Sequence, residues 1–189
     1  DPGELSVLLL AVPEMTDTIS VLSAFRRAVT VTAFEFFSQV ALNHVREHSD
    51  APAPFSEQSA YYVLVECEES AEDVLPVFEE CVEAGWVTDG VVSQSLQQSR
   101  DLWRYREGIS ESITPHTPYK NDISVRISKV PDFLAAVEAE VVEQYPDFEV
   151  VWFGHIGDGN LHLNILKPAA WSVDDFKLRC EDVSQRVLR

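Results

Sequence analysis

The sequence predicts an α+β fold: one antiparallel sheet with helices mainly on one face. Three observations predict it. Apolar segments of strand length alternate with amphipathic helical stretches, single helices separate most strands, and a glycine-rich hairpin signal sits near the C-terminal end.

Taken in order, Leu5–Val12 is a nearly continuous apolar run closed by Pro13, the pattern of a buried strand. Thr16 or Asp17 can cap a helix reaching about Ala28, with Ile19, Val21, Leu22 and Phe25 inward. Val31–Phe37 is a strand and Val40–His48 a helix, followed by a Pro-rich loop over Asp50–Glu57. Tyr61–Glu66 is a strand, and the helix from Ser70 to Ala84 stops at Gly85. Val87–Ser93 is strand-like and Leu96–Ser112 helical with Trp103 inward; Thr114–Pro118 is a loop. Lys120–Ile127 is a strand, Pro131–Tyr145 a helix opened by Pro, and Phe148–Phe153 a strand. Leu161–Leu166 is the last strand, and Ser172 caps a final helix to Arg189. A strand–helix–strand unit thus recurs about three times, and two related ferredoxin-like halves sharing a sheet fit it best. No residue-level repeat accompanies this element order.

Composition narrows the function. Hydrophobic residues make up 46% of the 189 positions, enough for a packed core. Thirty-two acidic against 14 basic residues give a net charge of −18, a field that repels phosphate backbones and argues against a nucleic-acid partner. No apolar run is long enough for a transmembrane helix, and Asp1–Glu4 has no basic leader character. Cys67, Cys81 and Cys180 form no CxxC pair, so they are expected to be free thiols of a reducing cytoplasm. P-loop, dinucleotide GxGxxG and GxSxG motifs are missing.

Two stretches carry chemistry. The first is Gly154–Asn164, GHIGDGNLHLN. Asp158–Gly159 is a preferred two-residue hairpin turn, and a hairpin closed there sets His155 opposite His162 at roughly 5 Å between Cβ atoms. Alternation puts His162 and Asn164 on one face, with Leu161, Leu163 and Ile165 on the other. Two imidazoles are half of a divalent-metal site that needs a third ligand; two surface histidines on a glycine-rich turn is the simpler alternative. The second stretch is Trp103–Ser110, WRYREGIS, followed by Tyr119–Asp122, YKND. Arg106 and Ser110 share a helical face. Arg104 has Asp101 and Glu107 three residues away, whereas Arg106 has no acidic residue three or four away. Arg106 and Lys120 are therefore candidate carboxylate receptors, with a solvated cation as the alternative for Arg106. His44 and His48, four apart, read as a solvated helix face, and nothing fixes His116.

Together with Leu8–Pro13, TAFE at Thr32–Glu35 and YKNDIS at Tyr119–Ser124, these motifs resemble the FAD-linked oxidase family related to vanillyl-alcohol oxidase, specifically its C-terminal domain. The branch includes D-lactate dehydrogenases, the D-subunit of glycolate oxidase and D-2-hydroxyglutarate dehydrogenase. The resemblance implies that residues 1–189 form the substrate/cap domain, cut short at the C-terminal end, with the N-terminal FAD-binding domain outside this chain. His155 and His162 match metal-binding, catalytic histidines. Asn164, Arg106 and Lys120 match substrate-binding residues, with Ser110 where a Thr often stands. The turn Gly157–Asp158–Gly159–Asn160 falls at the cofactor. The implied activity is oxidation of a D-2-hydroxy acid to the 2-oxo acid, with hydride passing to FAD, helped by a divalent metal (Zn, or Mn or Fe) whose third ligand lies past Arg189. The implied partners are the small hydroxy acid, the flavin domain of the same full-length chain, an electron acceptor and, as an option, a second copy in a homodimer. The implied place is the cytoplasm or, through the full-length protein, the membrane periphery. A stand-alone, non-catalytic binding module of the same fold is the alternative.

Overall fold

A computed structural model describes residues 5–188; Asp1–Glu4 and Arg189, the predicted last residue of the final helix, lie outside it. Seven strands form one sheet in the order β4-β1-β3-β2-β6-β7-β5, and every neighbouring pair is antiparallel. The strands are β1 (Ser6–Val12), β2 (Val31–Ser38), β3 (Tyr61–Cys67), β4 (Asp89–Val92), β5 (Pro118–Ser124), β6 (Glu149–Gly154) and β7 (Asn160–Leu166). The helices are α1 (Met15–Ala28), α2 (Gln39–Ser49), α3 (Ala71–Glu83), α4 (Leu96–Glu107), α5 (Ile109–Ile113), α6 (Val130–Gln144) and α7 (Val173–Val187).

The two expected halves are there. In the first, α1 connects β1 to β2, and β3 inserts between them in the sheet. In the second, α6 connects β5 to β6, and β7 inserts between those two in the same way. The halves meet where β2 pairs with β6, through Phe36 opposite Gly154 and Phe37 opposite Phe153. Between β2 and β3 the first half carries α2; at the matching place between β6 and β7 the second half carries only a short loop.

The four longest helices, α1, α3, α6 and α7, cover one face through a core that includes Leu8, Leu10, Phe25, Phe36, Val65, Trp152 and Leu163. Residues on alternate positions of the same strands, among them Leu9, Phe37, Leu64, Val151 and Phe153, meet α2, α4 and α5 on the other face. That second layer covers only part of the sheet, and β5 lies beyond it with Lys120 and Asp122 exposed. Cys67, Cys81 and Cys180 are free and buried, and burial pushes their thiols up to about 11, 11 and 12.

Three local expectations change. Helix α1 starts at Met15, so Glu14 takes the cap position without a side-chain bond, in place of Thr16 or Asp17. The strand expected to reach Ile127 ends at Ser124, because residues 127–129 coil into a 3-10 turn that leads into α6. The helix expected over Leu96–Ser112 breaks at Gly108. Ser172 caps α7 as expected, its hydroxyl accepting from the Asp175 amide. Among the described residues no helix is long and apolar enough to cross a membrane.

Candidate functional site

The candidate site lies on the partly covered face, where β2 and β6 join the two halves. Strand alternation sends Glu35 and Phe37 of β2 to this face, because Phe34 and Phe36 point into the larger core. Phe153 of β6 lies opposite Phe37 on one side and His162 on the other. Asn164 and His162 of β7 face Lys120 and Asp122 of β5. The row therefore runs from Glu35 through Phe153, His162 and Asn164 to Lys120 and Asp122. Helix α4 closes the near side with Arg106.

The hairpin expectation needs correcting. Asp158–Gly159 is not a two-residue turn. Residues 155–159 form a longer link with a 3-10 turn at Ile156–Asp158, and of the pair only Gly159 takes a positive φ, 70°. The Asp158 and Asn160 amides both donate to the His155 carbonyl, which closes the link. A side chain at Gly159 would place Cβ 2.1 Å from the Val125 carbonyl oxygen, so both φ and space demand glycine there. His162 consequently pairs with Phe153, and His155 sits in the loop. The two imidazoles are nevertheless brought together, with ring centroids 5.8 Å apart.

Each imidazole is held from behind by a carboxylate. His155 Nδ1 lies 2.6 and 2.7 Å from the two oxygens of Glu35, and His162 Nδ1 lies 2.5 Å from Asp122. A carboxylate only accepts, so both Nδ1 atoms carry the proton, and in the neutral imidazole the Nε2 lone pair is the one left free. This is the arrangement in which histidines bind divalent metals. Among the described residues no three His, Cys, Asp or Glu side chains are grouped to hold an ion.

Arg106 is not the free cation expected. Its charge faces Glu35 at 3.8 Å, and both side chains are nearly buried, at 10% and 6% exposure. Its guanidinium also lies 4.9 Å from the centre of the Phe153 ring. The same ring touches His162, with centroids 4.9 Å apart, and so spaces the cation from the imidazole. Burial raises the Glu35 carboxyl against the pull of Arg106, His155 and His162, and burial lowers Arg106 against Glu35 and Glu107. Arg106 Nε is buried without a partner, and 3.8 Å exceeds hydrogen-bond reach, so the guanidinium keeps unfilled donors.

The remaining candidates divide. Asn164 is buried under the row, and Lys120 is exposed opposite it. Ser110 is exposed in α5, past the break at Gly108, so the face it was expected to share with Arg106 does not run through both helices. Gly157 accepts a bond from Arg26 of α1 at 2.7 Å, and Asn160 Oδ1 is buried without a partner. Arg26, Thr32, Glu35, His155, Gly157 and Asp158 are among the residues lining a cleft of about 310 Å³ that His155, but not His162, borders. Arg104 pairs with Asp101 at 3.3 Å as its spacing predicts. His44, expected on a solvated face, instead packs edge-on against His116 at 4.8 Å and pairs with Glu149. His48 stays exposed, 3.8 Å from Glu111.

Sequence reasoning missed Glu35 as a site residue. A signal was present: it is the one charged residue in the run Val31–Ser38, and a buried carboxylate demands partners.

Comparison with known proteins places the chain. Residues 2–188 match the family described as FAD linked oxidases, C-terminal domain. The chain is 54% identical over 190 residues to a D-2-hydroxyglutarate dehydrogenase of Stutzerimonas stutzeri, covering 98% of this chain and 41% of the relative. It is 50% identical over 188 residues to one of Xanthomonas citri pv. viticola, covering 97% and 40%. The chain therefore spans about two fifths of the length of these curated relatives. Among solved structures, a p-cresol methylhydroxylase with substrate bound aligns with TM-score 0.56 at 11% identity, over all of this chain and 43% of that one. An alkyldihydroxyacetonephosphate synthase aligns with TM-score 0.55 at 12% identity, covering 98% of this chain and 40% of that one; at such identity these two speak for the fold alone. The chain belongs to the family of FAD linked oxidases, C-terminal domain.

Proposed function

We propose that this chain forms the substrate-binding wall of an FAD-dependent dehydrogenase that oxidises a D-2-hydroxy acid, of the 2-hydroxyglutarate class, to the 2-oxo acid. The observation that carries the reading is the convergence of two carboxylate-backed histidines with a buried arginine whose donors are unfilled. The names of the relatives at 54% and 50% identity support the same class.

The roles follow from the chemistry of each group. Arg106 offers a planar fork to a substrate carboxylate, and Lys120 adds a point charge from across the row. Losing the charge-assisted bond at Arg106 should weaken substrate binding by about 2–3 kcal/mol. Asn164, buried in β7 opposite Lys120, is the candidate amide partner of the same substrate, and Ser110 is exposed past the break at Gly108. His155 and His162, neutral and bonded through Nδ1, would offer their Nε2 lone pairs to the reacting end. These two histidines would hold a divalent metal, Zn or else Mn or Fe, with a third ligand from outside this chain; bound there, the metal would lower the pKa of the substrate hydroxyl. Charge supports the need for it. Arg106 and Lys120 contribute two positive charges and Glu35 and Asp122 two negative ones, so the row by itself is neutral toward an anionic substrate. FAD, bound by a further domain of the full-length protein with the Gly157–Asn160 turn at its edge, would take the C2 hydrogen as hydride, and the hydroxyl proton would leave to water. Phe153 and the buried end of Arg106 exclude water from one side of that reaction.

The test is an anaerobic panel of D- and L-2-hydroxy acids on the full-length flavoprotein, followed by bleaching of the flavin. Bleaching by D-2-hydroxyglutarate and not by its L-enantiomer is expected. A flavin left oxidised by every 2-hydroxy acid would refute the reading.

A further inference from the structure

Glu35 touches both functional groups of the near side at once. Its two oxygens lie 2.6 and 2.7 Å from His155 Nδ1, and one of them lies 3.8 Å from Arg106. Only 6% of its side chain is exposed, and it is planted in a central strand between Phe34 and Phe36, so it cannot swing away. His155, by contrast, sits in the loop after β6 with half of its side chain exposed. Its ring also meets His162 edge-on, with centroids 5.8 Å apart.

We propose that Glu35 is a positioning residue that serves two ligands in opposite directions: it locks His155 in the form with Nε2 free for a metal ion, and it holds down the positive charge that Arg106 shows to a substrate carboxylate. The first role follows from acceptor-only chemistry, since a carboxylate at Nδ1 keeps the proton on Nδ1. The second follows from Coulomb's law in a poorly hydrated site, where a carboxylate against a guanidinium cancels most of its pull on a third charge. An anion bound at Arg106 before the metal arrives is thus weakened, whereas the metal ion is favoured. The inference rests on the metal reading of the histidine pair for its first half and is independent of it for its second.

The experiment compares the 189-residue chain with its Glu35→Gln and Asp122→Asn variants. Glutamine keeps the shape but can donate to Nδ1, which frees the other imidazole form with the proton on Nε2. In Glu35→Gln, competition titration with a chelator should show Zn²⁺ bound about 10–100-fold more weakly. D-2-hydroxyglutarate should bind the metal-free variant about threefold more tightly. General damage to the fold would weaken both ligands together, so the opposite signs are the signature. Nitrogen-15 spectra of the imidazoles add a readout on the unaltered chain, where His155 should carry its proton on Nδ1. A proton on Nε2 in the unaltered chain overturns the inference even if the variant fails to fold. So does Zn²⁺ affinity in Glu35→Gln equal to that of the unaltered chain, or a fall for both ligands. If the unaltered chain binds no Zn²⁺, the metal reading fails, while the imidazole spectra and the D-2-hydroxyglutarate titration still decide the role of Glu35.

Discussion

His155 and His162 make the same contact with a carboxylate in opposite surroundings, and their positions in the fold set the difference. His162 is planted in a strand and fixed by the sheet, so its partner Asp122 can stand at 77% exposure on the outer strand β5 and still serve. His155 sits in the loop between β6 and β7, and its fixity comes from Glu35 at 6% exposure in the neighbouring half of the sheet. The exposed loop ring has the buried anchor, and the strand-held ring has the exposed one. The buried anchor brings a cost that the exposed one does not. Glu35 loses hydration, and Arg106 and His155 must offset that loss.

This contrast can be broken at the buried side first. Arg106→Ala removes the cation facing Glu35 and leaves a buried charge with only His155 beside it; stability should fall by about 3 kcal/mol in urea denaturation. A loss under about 1 kcal/mol would mean that water reaches Glu35 and that the two anchors are alike. Asp122→Asn tests the exposed side. Its pair is largely solvated, worth roughly 0.2–1 kcal/mol, so Zn²⁺ affinity should change by less than about fivefold. A change as large as that for Glu35→Gln would erase the distinction.

A third carboxylate extends the contrast to a group with a neutral partner only. Glu138 of α6 accepts from the Trp152 indole N–H at 3.0 Å, and burial raises its carboxyl above the ordinary 4.5 despite that bond. The neutral form is therefore favoured by folding. The stability this confers is complete below the ordinary value and is lost as pH rises through the raised folded value. Glu138→Gln keeps an acceptor for Trp152, so it should flatten the decline in stability above pH 4.5, with the smallest effect of the three at pH 4. A pH profile unchanged by the substitution would contradict the burial argument.

Much of the fold was legible because periodicity is local. Leu5–Val12, Tyr61–Glu66 and the Ser172 cap are each decided within a few residues, and the structure keeps them nearly unchanged. The hairpin shows where local reading ends. The expected pairing of His155 with His162 gives way to Phe153 with His162, a slip of two residues. Because side chains alternate with period two, an even slip leaves His162 and Asn164 on the expected face. That is why these side chains share the expected face although the pairing differs from the expected one. What a five-residue link adds over a two-residue turn depends on Val125 and Arg26, which contact Gly159 and Gly157 from distant segments.

Arg106 shows the complementary limit. Counting acidic neighbours along one helix cannot see a carboxylate arriving from a strand, so a buried ion pair passed for a free cation. Its unfilled Nε agrees with the expectation of a receptor all the same. The partners of Glu35, His155 and Arg106, became visible only when the sheet set β2 beside β6.

The most direct test of the account is calorimetric titration of Zn²⁺ into the 189-residue chain and into its His162→Ala variant, each checked for folding by its thermal transition. The account predicts measurable binding to the unaltered chain and a loss of at least about tenfold when the His162 ligand is removed. Equal affinity in the two folded proteins would contradict it.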